Sequence, residues 1–165
     1  MLSHGLISSM LFFCIGVLYD RYGERNLLYY NNIGQIMPHF SVFFFFGLLA
    51  NLGMPGTSSF IGEFLLLLSL SFKSTFLLFI MSFSLFLTTI YCIWLFNRIC
   101  FGYMRNRYIR IYKDLIRFES IILIILTILI FFFGLYPNCI LNLFHEFVCL
   151  NLNKHILFNS KYISK

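Results

Sequence analysis

The sequence predicts an all-α integral membrane protein of about four transmembrane helices, the second of them discontinuous. Three observations carry this. Of the 165 residues, 60% are hydrophobic and only 11% charged, and the mean hydropathy is +0.87, beyond the apolar share of roughly half that soluble domains show. The apolar residues are gathered into runs long enough to cross a bilayer. The longest of these runs is interrupted by Gly53-Met54-Pro55-Gly56 and then carries a lone carboxylate, Glu63.

Residues 2–19 form the first span, closed by the charged stretch Asp20–Arg25. Eighteen to twenty residues at about 1.5 Å rise just cross a hydrocarbon core of about 30 Å. The first lysine or arginine is Arg21, after the run has ended, so no cleavable secretory signal is read here. Asn31, Asn32 and Gln35 mark a polar loop, and Pro38 suits the first turn of the next helix.

The second span, 39–72, would extend nearly 50 Å as one straight helix by the same rise, too long for a single perpendicular crossing. Pro55 lacks a backbone donor, while Gly53 and Gly56 supply the freedom a linking peptide needs. Thr57, Ser58 and Ser59 are residue types that cap a restarting helix. The reading is two half-helices, Phe40 to Asn51 and Thr57 to Leu70. Lys73 and Ser74 turn the chain into a third span, 75–97, and a fourth, 118–136, is stopped by Pro137. These spans make up a transmembrane half-subunit over 1–137. In 138–165, apolar residues at 140, 143, 144, 147 and 148 oppose Asn142, His145 and Glu146. An interfacial amphipathic helix followed by a polar tail is expected there.

The net charge is +6, with Arg98, Arg105, Arg107, Arg110, Lys113 and Arg117 clustered in one connection. In a membrane protein this reads as a topology signal rather than a nucleic-acid surface. Together with Arg21 and Arg25 it places both basic connections in the bacterial cytoplasm or mitochondrial matrix, and both chain ends on the opposite side. The five cysteines form no C-x-x-C pair and read as small apolar core residues. Abundant Phe, Leu and Ile with almost no alanine fit the AT-rich codons of a mitochondrial gene.

Unpaired amides in lipid cost several kcal/mol each, so a break at membrane depth has to be buried in protein or line a watery cavity. An ionisable residue within a span usually faces the bundle interior and marks an ion or proton route. A broken helix beside a carboxylate is a recurrent device of ion-coupled transport, which makes Glu63 the expected proton-handling residue. Asn51, Thr57 and Ser58 are candidates for polar support of the break. Trp94 and Tyr91 read as interfacial anchors or packing. His145 and Cys149 have helical i, i+4 spacing, but two ligands do not make a metal site. Glycine loops for nucleotides, cysteine clusters for iron–sulfur ligation and nucleophilic triads are not seen.

The segments HGLISSMLFFCIGVLYDRYGER, ANLGMPGTSSFIGEF, NRICFGYM and FGLYPNCIL closely resemble, in order, the C-terminal part of the chain 4 subunits of proton-translocating NADH:ubiquinone oxidoreductase, respiratory complex I. The resemblance implies an antiporter-like subunit whose four spans here correspond to the last four of fourteen helices. It places Glu63 on the acidic residue of the broken helix, at the proton exit, where the sibling chains 2 and 5 typically have lysine. It also places His4, in the SHG motif, on a central polar axis that relays protons. No redox cofactor is implied in this chain; FMN, iron–sulfur clusters and ubiquinone belong to the wider complex, in the mitochondrial inner membrane.

The glutamate–lysine pair and central lysine of such subunits lie in helices this chain lacks. A Met directly before SHG suggests a split gene, with a separate N-terminal half docking on the small residues Ser3, Gly5, Ser8, Ser9 and Gly16 of the first span. The other expected partners are membrane-arm subunits of the complex and lipid. Two further readings remain: a subunit of a related multi-subunit cation/proton antiporter, and a structural remnant that no longer pumps.

Overall fold

A computed structural model describes residues 1–23, 25–27, 30–102, 113–139 and 141–142. All regular structure among them is helical: α1 (Leu2–Tyr22), α2 (Ile33–Ile36), α3 (Pro38–Asn51), α4 (Ser58–Lys73), α5 (Thr75–Cys100) and α6 (Arg117–Leu135). These belong to one compact unit, Met1–Leu135, and the remainder from Tyr136 forms a second. In the second, a helical turn begins where the Leu141 amide donates to the Pro137 carbonyl. The expected amphipathic face, with His145 and Cys149, lies outside the described residues.

Three helices, α1, α5 and α6, are long and apolar enough to cross a membrane. α3 has 14 residues, about 21 Å at helical rise and short of a 30 Å core; the apolar path resumes in α4 after the break. α1 packs against α3 and α6, and α4 against α5 and α6. The core follows helical periodicity, with Ile7, Met10, Cys14, Val17, Leu18 and Arg21 presenting one face of α1 toward Phe40, Phe44 and Leu48 of α3 and Leu123 and Ile130 of α6. Gly47 permits the close approach of α1, since a Cβ there would lie 3.0 Å from a Leu11 methyl.

α1 runs through Asp20 and Arg21, past the point where the charged stretch suggested an end. The reason is that Arg21 is 6% exposed and paired rather than solvated. Gly23 ends the helix in the left-handed region, φ 69°, its amide donating to the Tyr19 carbonyl. Between α4 and α5 a single extended residue, Ser74, turns the chain back. The connection from α1 to α3 passes through the short α2, which begins after Asn32 in the left-handed region.

Candidate functional site at the helix break

The break is a turn built from two left-handed glycines, Gly53 (φ 68°) and Gly56 (φ 95°), flanking Met54 and Pro55. Helix ends leave carbonyls without intrahelical partners, and this turn fills them from its own amides. Leu52 donates to Leu48, Gly53 to Ala50 and Met54 to Leu49, at 3.0–3.2 Å. Hydroxyls add to this: Thr57 Oγ1 donates to the Met54 carbonyl at 2.7 Å, and Ser59 Oγ donates to the Ala50 carbonyl. Serine and threonine were expected to cap the amides of the restarting helix. Thr57 does occupy the N-cap position of α4 but makes no side-chain cap bond; its hydroxyl and that of Ser59 turn backward to carbonyls.

Of the other expected supports, Asn51 sends its side-chain amide to Cys92 Sγ on α5, at 3.7 Å, instead of to freed backbone. The Ser58 hydroxyl is buried without a hydrogen-bond partner among the described residues. Sequence reasoning missed Gly134, on which the break rests. A Cβ there would collide with the Gly56 carbonyl and the Thr57 backbone, so α6 meets the turn backbone to backbone. In the sequence Gly134 sits three residues before Pro137 and reads merely as the end of a span.

Glu63 lies one helical turn into α4 and folds back over Gly53, where a Cβ would overlap its carboxylate oxygen. A cavity of about 250 Å³ opens beside it, lined by Leu52, Gly53, Phe60, Leu85, Phe86 and Thr89 among others. Among the described residues Glu63 is the one ionisable side chain in that lining, and it makes no ion pair among them. The Thr89 hydroxyl already donates to the Leu85 carbonyl of its own helix. The arrangement is a carboxylate in a mostly apolar niche, touching irregular backbone, with no cationic partner among the described residues. His4, in the first turn of α1, is exposed and does not line this cavity.

A second polar cluster holds the opposite ends of α1 and α3. Arg21 binds Glu119 through both terminal guanidinium nitrogens, at 2.7 and 3.4 Å, and donates to the carbonyls of Val17, Lys113 and Asp114 at 3.0–3.1 Å. Asp114 caps α3, accepting from the His39 and Phe40 amides and from the His39 ring. Burial alone would raise the Asp114 carboxyl, but these bonds, with one from the Leu115 amide, outweigh it and hold the group below its ordinary 3.8. Arg21 was expected only as a topology charge; here it is a buried structural ion. Among the described residues no three His, Cys, Asp or Glu side chains gather to hold a metal.

Residues 1–90 match the model of a transmembrane family described as NADH:quinone oxidoreductase/Mrp antiporter. This chain belongs to that family. Among its relatives, NADH-ubiquinone oxidoreductase chain 4 of Chondrus crispus is 54% identical over 146 residues, 88% of this chain and 30% of the relative. The protein of the same name from Acanthamoeba castellanii is 46% identical, covering 87% of this chain and 29% of the relative. NADH-quinone oxidoreductase subunit M of Rickettsia prowazekii is 39% identical, covering 88% and 30%. The chain thus spans about 30% of the length of these curated relatives, their C-terminal part. The antiporter-family match takes in α1, the break, Glu63 and the first part of α5.

Proposed function

We propose that this chain is the C-terminal membrane part of a chain 4 subunit of complex I, which couples NADH oxidation and ubiquinone reduction to proton translocation. The observation that carries the reading is the placement of Glu63: the one ionisable residue of its cavity among the described residues, set against the left-handed Gly53 of a broken helix. In this role the carboxylate accepts a proton from the centre of the subunit and releases it toward the exit, with neutral and charged forms alternating as polar groups or water reach it. Gly53, Pro55 and Gly56 keep the helix open at that depth. His4 serves on the central relay, with its partners supplied by the rest of the subunit.

The same reading takes the remaining helices of the subunit from a separate polypeptide and assigns FMN, iron–sulfur clusters and ubiquinone to other subunits. It places the chain in the mitochondrial inner membrane with the basic connections in the matrix and both chain ends in the intermembrane space. The second reading, a subunit of a multi-subunit cation/proton antiporter, is favoured by the family description, which embraces both kinds of protein.

Mild-detergent purification through a tag on this chain separates them. A large assembly with NADH:quinone reductase activity is expected, together with loss of proton pumping in reconstituted Glu63→Gln membranes. Recovery with membrane antiporter subunits and no flavin would select the second reading. Unchanged pumping by Glu63→Gln would remove Glu63 from the proton route.

A further inference from the structure

The cavity beside Glu63 is lined mainly by hydrocarbon, with Leu52, Phe60, Leu85 and Phe86 on its walls. Among the described residues, Thr89 of α5 is the one lining side chain besides Glu63 that carries a polar atom. Its Oγ1 donates to the Leu85 carbonyl at 2.9 Å, which commits its single proton and leaves only lone pairs for any group in the cavity. A carboxylate also offers lone pairs alone, whereas a protonated carboxyl or a water molecule brings a proton. We infer that Thr89 is a positioning residue for proton transfer at Glu63: its hydroxyl oxygen accepts a hydrogen bond from the proton-bearing carboxyl, directly or through one water. The inference rests on the proposed function above.

The cavity, at about 250 Å³, is far larger than the roughly 30 Å³ that a water takes up in the liquid, so a bridging molecule fits and finds polar partners in Glu63 and Thr89. Both partners are held in place. Glu63 folds back over Gly53, and three residues beyond Thr89 on the same helix, Cys92 Sγ accepts from the Asn51 side-chain amide at 3.7 Å. That contact ties α5 to the end of α3, next to Leu52 of the cavity wall. In such a lining a hydrogen bond counts for more than it does in water, and Thr89 offers it to the proton-bearing form alone. The proton moves onto and off Glu63, while Thr89 keeps its own on the Leu85 carbonyl. A hydroxyl bonded to the preceding turn is common in helices, and Thr88 shows that bond without the cavity. Its Oγ1 donates to the same Leu85 carbonyl at 2.8 Å, yet the residue is exposed and outside the lining. What sets Thr89 apart is the carboxyl with which it shares a cavity.

The test uses the full chain in its native membrane assembly and compares Thr89→Val, Thr89→Ser and Thr88→Val. Two quantities are read: proton pumping coupled to NADH oxidation, and the infrared carbonyl band of the protonated Glu63 carboxyl, identified by its absence in Glu63→Gln. Thr89→Val is expected to reduce pumping severalfold and to move the band to higher wavenumber, as for a carboxyl deprived of its hydrogen-bond partner. Thr89→Ser keeps the hydroxyl and is expected to retain both properties of the natural chain. Thr88→Val removes the same kind of helix bond and is expected to change neither. Thr89→Ala carries the same expectations as Thr89→Val and replaces it if the valine variant does not assemble. Undiminished pumping, an unmoved band, or an equal loss in Thr88→Val would each overturn the inference. If Glu63→Gln abolishes pumping while Thr89→Val leaves it intact, the positioning inference fails and the proposed function stands; if Glu63→Gln pumps normally, it is the proposed role of Glu63 that fails.

Discussion

The two ends of this bundle solve the problem of polar groups in an apolar protein in opposite ways. At the Arg21 end two charges are matched within the chain: the Arg21 guanidinium is answered by Glu119 and three carbonyls, and the Asp114 carboxylate by amides at the start of α3. Around the helix break carbonyls freed by the interruption are matched but the charge is not. The carbonyls of Leu48, Leu49, Ala50 and Met54 all find donors, while Glu63 has no ion-pair partner among the described residues. Burial follows the same division. α1 buries a whole face, whereas α4 buries none of its side chains. The first region is structural; the second leaves a carboxylate open beside irregular backbone, which is what the proposed proton role requires.

Substitutions can break or sharpen that contrast. The largest expected effect is at the matched end. Arg21→Met would strand Glu119 and three carbonyls, and removing one partner of a buried pair costs about 3–5 kcal/mol, read as a lowered thermal midpoint in detergent; a change near zero would show the pair to be solvated. Gly134→Ala comes next. Its methyl would meet the backbone of Gly56 and Thr57, so α6 must shift away from the turn at about 1–3 kcal/mol, as in overpacked cores. A loss confined to the break, seen as faster amide exchange at Leu52–Thr57, would locate the damage.

Asp114 provides a pH-dependent version. Its folded pKa lies below 3.8, so its contribution is fully present above the unfolded value and is lost as pH falls through the folded value. Acid unfolding followed downward from about pH 5 should therefore show a component that Asp114→Asn removes. That substitution should cost about 1 kcal/mol at neutral pH, as for other helix caps. Ser59→Ala, which withdraws one donor from the Ala50 carbonyl, should also cost about 1 kcal/mol. The smallest effect on stability belongs to Glu63→Gln, under about 0.5 kcal/mol because no described bond is removed. A large destabilisation by that change would erase the difference between the two ends.

The parts of the fold that were legible in the sequence are those whose causes are local. Run length marked the spans, and a left-handed requirement at Gly53 and Gly56 with Pro55 between them marked the break. Glu63 stood out because a carboxylate inside an apolar run is anomalous wherever the chain folds. Arg21 was less legible, because its partner Glu119 is 98 residues away and a basic residue at the end of a span looks the same whether it is solvated or paired. Gly134 was illegible for a similar reason: the backbone it admits comes from a turn about 78 residues earlier, and no local pattern distinguishes such a contact glycine from a helix end. Nor could residue type decide whether Thr57 and Ser59 would serve amides ahead of them or carbonyls behind.

By itself, then, the sequence determined that this is a membrane protein, where its helices run and where one is interrupted, because hydropathy, proline and glycine act over a few residues. Only the tertiary structure decided that Arg21 is a buried ion, that α6 supports the break through Gly134, and that Glu63 is left without an ion-pair partner among the described residues. Each of those depends on which groups meet across helices, and in a bilayer the electrostatic consequence of a charge is set by that meeting rather than by the residue alone.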